Sequence, residues 1–256
     1  HPECICTASR SRFPSPMTTP ADAGSDPDTQ SDGCSNERTS GGAPTLTPGR
    51  GGPWPAYVFV NGAHPERRRE PVVARLLEAL ARAGYVVAAP EPTGLGDGRI
   101  TLGTLEETVL AIECIASLPQ VRQGAVGVLG VSTGASLGLL AGADPRVRDS
   151  LSVVVAVTPF ASLERIIRLG VTGSYRTRGL EVRREVPELL EDGVVRSLIA
   201  TLSDPMERER LCAALGPRPM DAIAQVDSAE LTREAAGVVR MLSSRDTGSF
   251  DRGYHD

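Results

Sequence analysis

Four apolar runs of strand length punctuate the middle of the chain, at residues 57–61, 85–89, 125–131 and 151–157. Each is continuous rather than alternating, the pattern of strands buried on both faces. The segments between them change to a helical period. Residues 71–84 carry Pro71 in the first turn, place Val73, Leu76, Leu77 and Leu80 on one face, and meet Gly84 at the stop. Thr104 with Glu107 has capping-box spacing, and Leu105, Val109, Ile112 and Ala116 continue that helix to Pro119. A third, small-residue helix follows the 125–131 run and stops at Asp144-Pro145. Strands alternating with helices predict right-handed crossovers and a parallel sheet with helices on both faces.

The pattern shifts after Pro159. Residues 163–246 are rich in Arg, Glu and Leu, with helical spacing at 163–169, 181–202, 205–215 and 228–243 and no further strand. Such helices either form a cap over the C-terminal ends of the strands, where open α/β sheets bind ligands, or simply cover the sheet. Residues 1–55 hold nine of the 20 prolines and few apolar side chains, too little to offset the entropy of ordering them, and are expected to be disordered. The chain therefore divides into a tail (1–55), an α/β core (56–160) and a helical cap with the C-terminal end (161–256).

Composition narrows the function classes. All 27 basic residues are arginine and are spread through the chain, and the formal charge is −5, so nothing points to nucleic acid. Arg67-Arg68-Arg69 is bracketed by Glu66 and Glu70 and reads as a solvated loop or helix start. The five cysteines are odd in number and irregularly spaced; Cys4-x-Cys6 lacks zinc spacing and Cys114 sits in a helical apolar pattern. A reducing cytoplasm fits this usage, and no metal or cofactor is expected. No apolar run approaches the roughly 18 residues of a membrane span.

The chemistry concentrates at Gly130-Val131-Ser132-Thr133-Gly134. A serine at the top of a strand that turns at once into a helix needs a tight backbone, and flanking glycines remove the Cβ atoms that would collide there. Ser132 would then present its hydroxyl as a nucleophile. The Thr133 N–H, at the helix start, would stabilise developing negative charge. A second oxyanion donor would be Ala63, in the loop after the first strand, where Gly62 lets the backbone approach closely. The plainer alternative is a glycine-rich strand-to-helix turn without chemistry.

Over residues 56–160 these features resemble the α/β-hydrolase superfamily, most of all bacterial hydrolases with a helical cap. Val60-Asn61-Gly62-Ala63 stands in the place of its His-Gly-x loop, residues 90–96 in the place of its Asp-x-x-Gly-x-Gly turn, and 130–134 at the nucleophile elbow. The resemblance implies a spatial strand order of second, first, third, fourth. It also implies an acid and a histidine after later strands, which this sequence does not supply. His64 flanks the oxyanion loop and reads as a structural or rim residue. Ser132, Asp246 and His255 follow the family's chain order, but Leu231, Ala235, Val238, Val239 and Leu242 before them are spaced as a helix, not a strand. The sequence thus reads as ending before the last two strands, with exposed sheet that favours homo-oligomers. The function it implies is esterase-type acyl hydrolysis of a small ester-like molecule by Ser132; acyltransferase chemistry uses the same parts. The alternative is a non-catalytic protein that binds a ligand beneath the cap.

Overall fold

A computed structural model describes residues 35–38, 44–48, 52–64, 66–215 and 219–255. Its main sheet has six strands: β1 (Ser35–Arg38), β2 (Pro44–Thr47), β3 (Trp54–Val60), β4 (Val86–Ala88), β5 (Val121–Val131) and β6 (Leu151–Val157). Their spatial order is β1-β2-β4-β3-β5-β6. The segment β4-β3-β5-β6 is parallel, in the order implied by the sequence. The helices between these strands are α1 (Pro71–Arg82), α2 (Leu102–Ala116) and α3 (Thr133–Gly142). This is an α/β-hydrolase-like sheet, with β5 between two neighbours and leading straight into α3.

Side-chain alternation along the strands sorts the core into two layers. Val58, Val60, Val86, Ala88, Val126 and Val128 face α2 and α3, whereas Phe59, Val87 and Ala89 face Leu77 and Ala81 of α1. At the β6 edge this second layer is open. Val153, Val155 and Val157 lie in register with Gly127, Leu129 and Val131 and are 40%, 39% and 44% exposed.

Three expectations need correction. Residues 35–38 and 44–47, placed in the disordered tail, form an antiparallel pair, and β2 continues the sheet through Thr45↔Ala88 and Leu46↔Val87. Leu46 packs on the α1-facing layer, so one apolar side chain in a polar stretch was enough to recruit a strand. Trp54 and Pro55, also placed in that tail, open β3, whereas residues 1–34, with Cys4, Cys6 and Cys34, lie outside the described residues. The capping box of α2 is formed by Thr101 and Thr104, not Thr104 and Glu107. Glu107 instead accepts the Thr93 N–H at 2.7 Å and ties down the preceding loop.

The third correction lies in the cap. Helices α4 (Leu163–Thr172), α5 (Glu188–Ala200), α6 (Pro205–Ala214), α7 (Pro219–Ile223), α8 (Arg233–Ser244) and α9 (Thr247–His255) share one apolar core. Between α4 and α5 lies a hairpin that helical spacing did not predict: β7 (Ser174–Thr177) pairs with β8 (Leu180–Arg183). Arg178 and Gly179 both have positive φ (49° and 78°), the geometry of a two-residue type I′ turn. No described helix is long and apolar enough to cross a membrane.

Candidate active site

Ser132 joins β5 to α3 at φ 53°, ψ −121°, a conformation that costs a non-glycine residue about 1–3 kcal/mol. Its N–H donates to Val157 O on β6 at 2.9 Å, and its carbonyl accepts from Ala135 N and Ser136 N, so strand and helix hold it from both sides. The glycines of the motif are required by contact. A Cβ on Gly130 would sit 2.4 Å from Gly134 O, and one on Gly134 would sit 2.1 Å from Val60 O and 2.3 Å from Asn61 O. No side chain fits at either place without moving backbone. The residue is exposed, and its hydroxyl is accessible from the cap side.

The loop after β3 closes directly on this serine. A Cβ on Gly62 would lie 3.2 Å from both Ser132 Cβ and Val131 O. The Gly62 N–H is engaged by Asn61 Oδ1 at 2.9 Å. Ala63, the next residue, lines the cavity together with Ser132 and Thr133. Thr133 is the first residue of α3, where a helix leaves its leading amides without partners in the helix. The structure thus brings Ser132, Thr133 and Ala63 to one cavity.

Cap helices supply the other walls. The cavity measures about 350 Å³, with Leu163, Ile166 and Ile167 from α4 and Leu189, Leu190, Val194 and Leu198 from α5. The joint between cap and core is made by backbone. A Cβ on Gly98 would meet Gly193 Cα at 2.7 Å, and one on Gly193 would meet Gly98 O at 2.9 Å. Beside it Ser197 Oγ accepts the Ile100 N–H at 2.9 Å. A second close crossing joins α4 to α5, since a Cβ on Gly170 would lie 2.7 Å from Val194 Cγ2.

Two further residues were not legible in the sequence. Ser136, one turn beyond Ser132, donates its hydroxyl to Phe160 O and accepts the Phe160 N–H, both at 3.0 Å. Phe160 forms part of the cavity wall. Asn61, in the loop after β3, accepts the Gly62 N–H on its side-chain carbonyl and so fixes that loop beside Ser132. Both partnerships depend on main-chain groups, which leave no trace in side-chain patterns.

Among the described residues, no ionisable side chain lines the cavity with Ser132. His64 is exposed, and its Nδ1 accepts the Glu66 N–H at 3.3 Å, consistent with a rim position. Residues 233–244 are helical, and Asp246 caps the following helix by accepting the Ser249 N–H at 2.9 Å. His255 ends α9. Asp192 on α5 is pushed up from the ordinary carboxylate value by burial, but it is not among the lining residues.

No family model matches the chain, and no curated protein matches it. Solved structures do. The chain is similar to Est1E from Butyrivibrio proteoclasticus, at 18% identity over 61% of this chain and 58% of that one, with a TM-score of 0.42. It is also similar to a 2,6-dihydroxy-pseudo-oxynicotine hydrolase, at 18% identity over 77% of this chain and 50% of that one, with a TM-score of 0.45. For the esterase Est22 the figures are 16% identity, 58% and 44% coverage, and a TM-score of 0.39. The chain spans 44–58% of the length of these three structures.

Proposed function

We propose that the chain carries the acyl-accepting half of a serine hydrolase acting on carboxylic esters. The observation that supports this is the strained backbone of Ser132 (φ 53°, ψ −121°) at a strand-to-helix joint, with the Ala63 loop packed against it. Strain of this kind persists only where the surrounding structure over-determines it, and it concentrates at functional sites. In the reaction Ser132 Oγ attacks the ester carbonyl. The oxyanion that forms is met by the Thr133 and Ala63 N–H groups, which lose no reorganisation energy because backbone already fixes them. A base must take the Oγ proton, and an unassisted hydroxyl is a poor nucleophile at neutral pH. The reading therefore places no base among the described lining residues.

The described lining residues are apolar or uncharged, which favours a second reading, a protein that binds a ligand beneath the cap without turning it over. A fluorophosphonate probe separates the two. Labelling mapped to Ser132 by peptide mass spectrometry, and lost in Ser132→Ala, is expected for the hydrolase reading. If Ser132 stays unmodified in folded protein over hours at millimolar probe, while free serine-hydrolase controls label, the binding reading stands.

A further inference from the structure

Leu163, Ile166 and Leu189 are apolar, none is fully buried, and none joins the cap's own core, yet all three line the cavity above Ser132. Their neighbours on α4 and α5, Ile167, Val171, Val194 and Val195, hold the cap together, and of these Ile167 and Val194 reach the cavity as well. The two helices therefore carry two apolar faces. One face packs the cap; the other borders the cavity.

That second face is not explained by folding. An apolar side chain left beside solvent contributes little to stability, whereas the same surface gains about 25 cal/mol per Å² when a ligand covers it. Polar groups along the described lining are few: Ser132 and Thr133 at the elbow, Ser197 on α5, and Thr201 at the C-cap of α5. Ser197 is already engaged by the Ile100 N–H. The described residues of the lining include no Asp, Glu, Arg or His to compensate a buried charge on a ligand, so a charged group would meet a desolvation cost there. Size sets the remaining limit. An apolar cavity of about 150 Å³ accommodates a benzene ring. The 350 Å³ here is therefore more than an acetyl group needs and suits a medium-length alkyl or an aryl-alkyl group.

We infer that the cavity selects an uncharged, hydrophobic acyl or aryl-alkyl group of medium length, with Leu163, Ile166 and Leu189 as its specificity-determining contacts. This rests on the reading of Ser132 as the acyl-accepting nucleophile, which identifies the group that must lie nearest the hydroxyl. The glycine crossings at Gly98–Gly193 and Gly170–Val194 fix the two helices against the core and each other, so the pocket is formed before the ligand arrives.

The test uses binding, which needs no catalysis. Calorimetric titration of the full chain with acetamide, butanamide, hexanamide and octanamide should show affinity rising about fourfold per methylene until the cavity is filled. The monoamide of adipic acid, of hexanamide length but charged, should bind at least about tenfold more weakly than hexanamide. Leu189→Trp, which fills the space, should flatten the rise beyond butanamide, and Ile166→Ala should extend it. Affinity that is flat with chain length in the unmodified protein, or equal for the charged and neutral ligands, overturns the inference whether or not either variant folds. Fluorophosphonate labelling of the same preparation keeps the two readings apart. A chain-length rise without labelling at Ser132 preserves the pocket assignment and removes the hydrolase reading. Labelling with a flat series does the reverse.

Discussion

Ser136 Oγ and the main chain of Phe160 exchange two hydrogen bonds of 3.0 Å, one given and one received. A single hydroxyl thereby ties the elbow helix to the segment that leaves β6 and enters the cap. Ser136 is only 7% exposed, so water cannot replace it in either role. Ser136→Ala should cost about 1–3 kcal/mol, because both the N–H and the carbonyl of Phe160 lose their partner. Urea unfolding of the two proteins, with unchanged slope and shifted midpoint, checks the value; a shift within error would mean that the Phe160 loop re-pairs elsewhere.

Two glycine substitutions should have opposite signs. Gly134→Ala places a methyl group 2.1 Å from Val60 O, so the elbow or the end of β3 must move, at a cost of about 3 kcal/mol or more. Gly237→Ala on α8 meets nothing within 4 Å and should stabilise by about 0.5–1 kcal/mol through the lower entropy of the unfolded chain. Thermal melts of both variants read the contrast directly. The motif glycine and the helix glycine look alike in sequence; only the contact distance separates them.

The strands of the parallel core were legible because each is a continuous apolar run, and the elbow because glycines flank a serine where a strand pattern changes to a helical one. What stayed hidden depends on tertiary partners. β2 becomes a strand through Leu46 meeting the α1 layer, with only four residues and no apolar run to announce it. The β7–β8 hairpin is set by Arg178-Gly179, and an arginine at positive φ gives no warning in composition. In the site, Ser132, Thr133 and Ala63 line one cavity, and the fold, not any spacing in the chain, brings Ala63 to the other two. The Gly98–Gly193 joint lies 95 residues apart in the chain and follows from no local rule.

Arg146 joins α2 to the turn after α3 by donating to both carboxylate oxygens of Glu106 (2.6 and 2.8 Å) and to Asp144 (3.1 and 2.9 Å). Its hydrogen bonds hold both carboxyls below their ordinary values of 4.5 and 3.8. A carboxylate lowered in the folded state adds stability that is fully present above its unfolded value and disappears as pH falls through the folded one. The stability difference between the native protein and Arg146→Met should therefore be greatest near neutral pH and shrink in acid. High salt should shrink it too, because the cluster is solvent-exposed. Asp192 runs the other way: raised by burial, it favours the folded state below its ordinary value of 3.8 and loses that contribution as pH climbs through the raised one. Asp192→Asn should remove that part of the profile.

Arg168 is 4% exposed, lies over the Phe250 ring at 5.7 Å, and pairs with Asp251 on α9. Its Nε and Nη2 are buried without hydrogen-bond partners among the described residues. Removing the carboxylate strands a buried cation, while removing the arginine leaves a carboxylate that is 37% exposed and still faces Arg176 at 3.5 Å. Asp251→Ala should therefore cost about 2 kcal/mol or more, and Arg168→Met should cost less. Denaturant midpoints of the two variants decide the order.

His64→Ala should leave fluorophosphonate labelling of Ser132 unchanged, since the imidazole accepts a bond from its own loop and does not line the cavity. A rate that falls tenfold or more would make His64 the base.

Where Gly98 meets Gly193, the two surfaces touch through main chain, with the Ser197 hydroxyl bonded beside them. Backbone already at its closest approach loses that contact, and the hydrogen bonds beside it, at the first displacement. Heat should therefore release cap and sheet together, in one calorimetric transition rather than two. Cleavage by a protease between Pro159 and Ser162 should leave both fragments associated until the whole assembly melts.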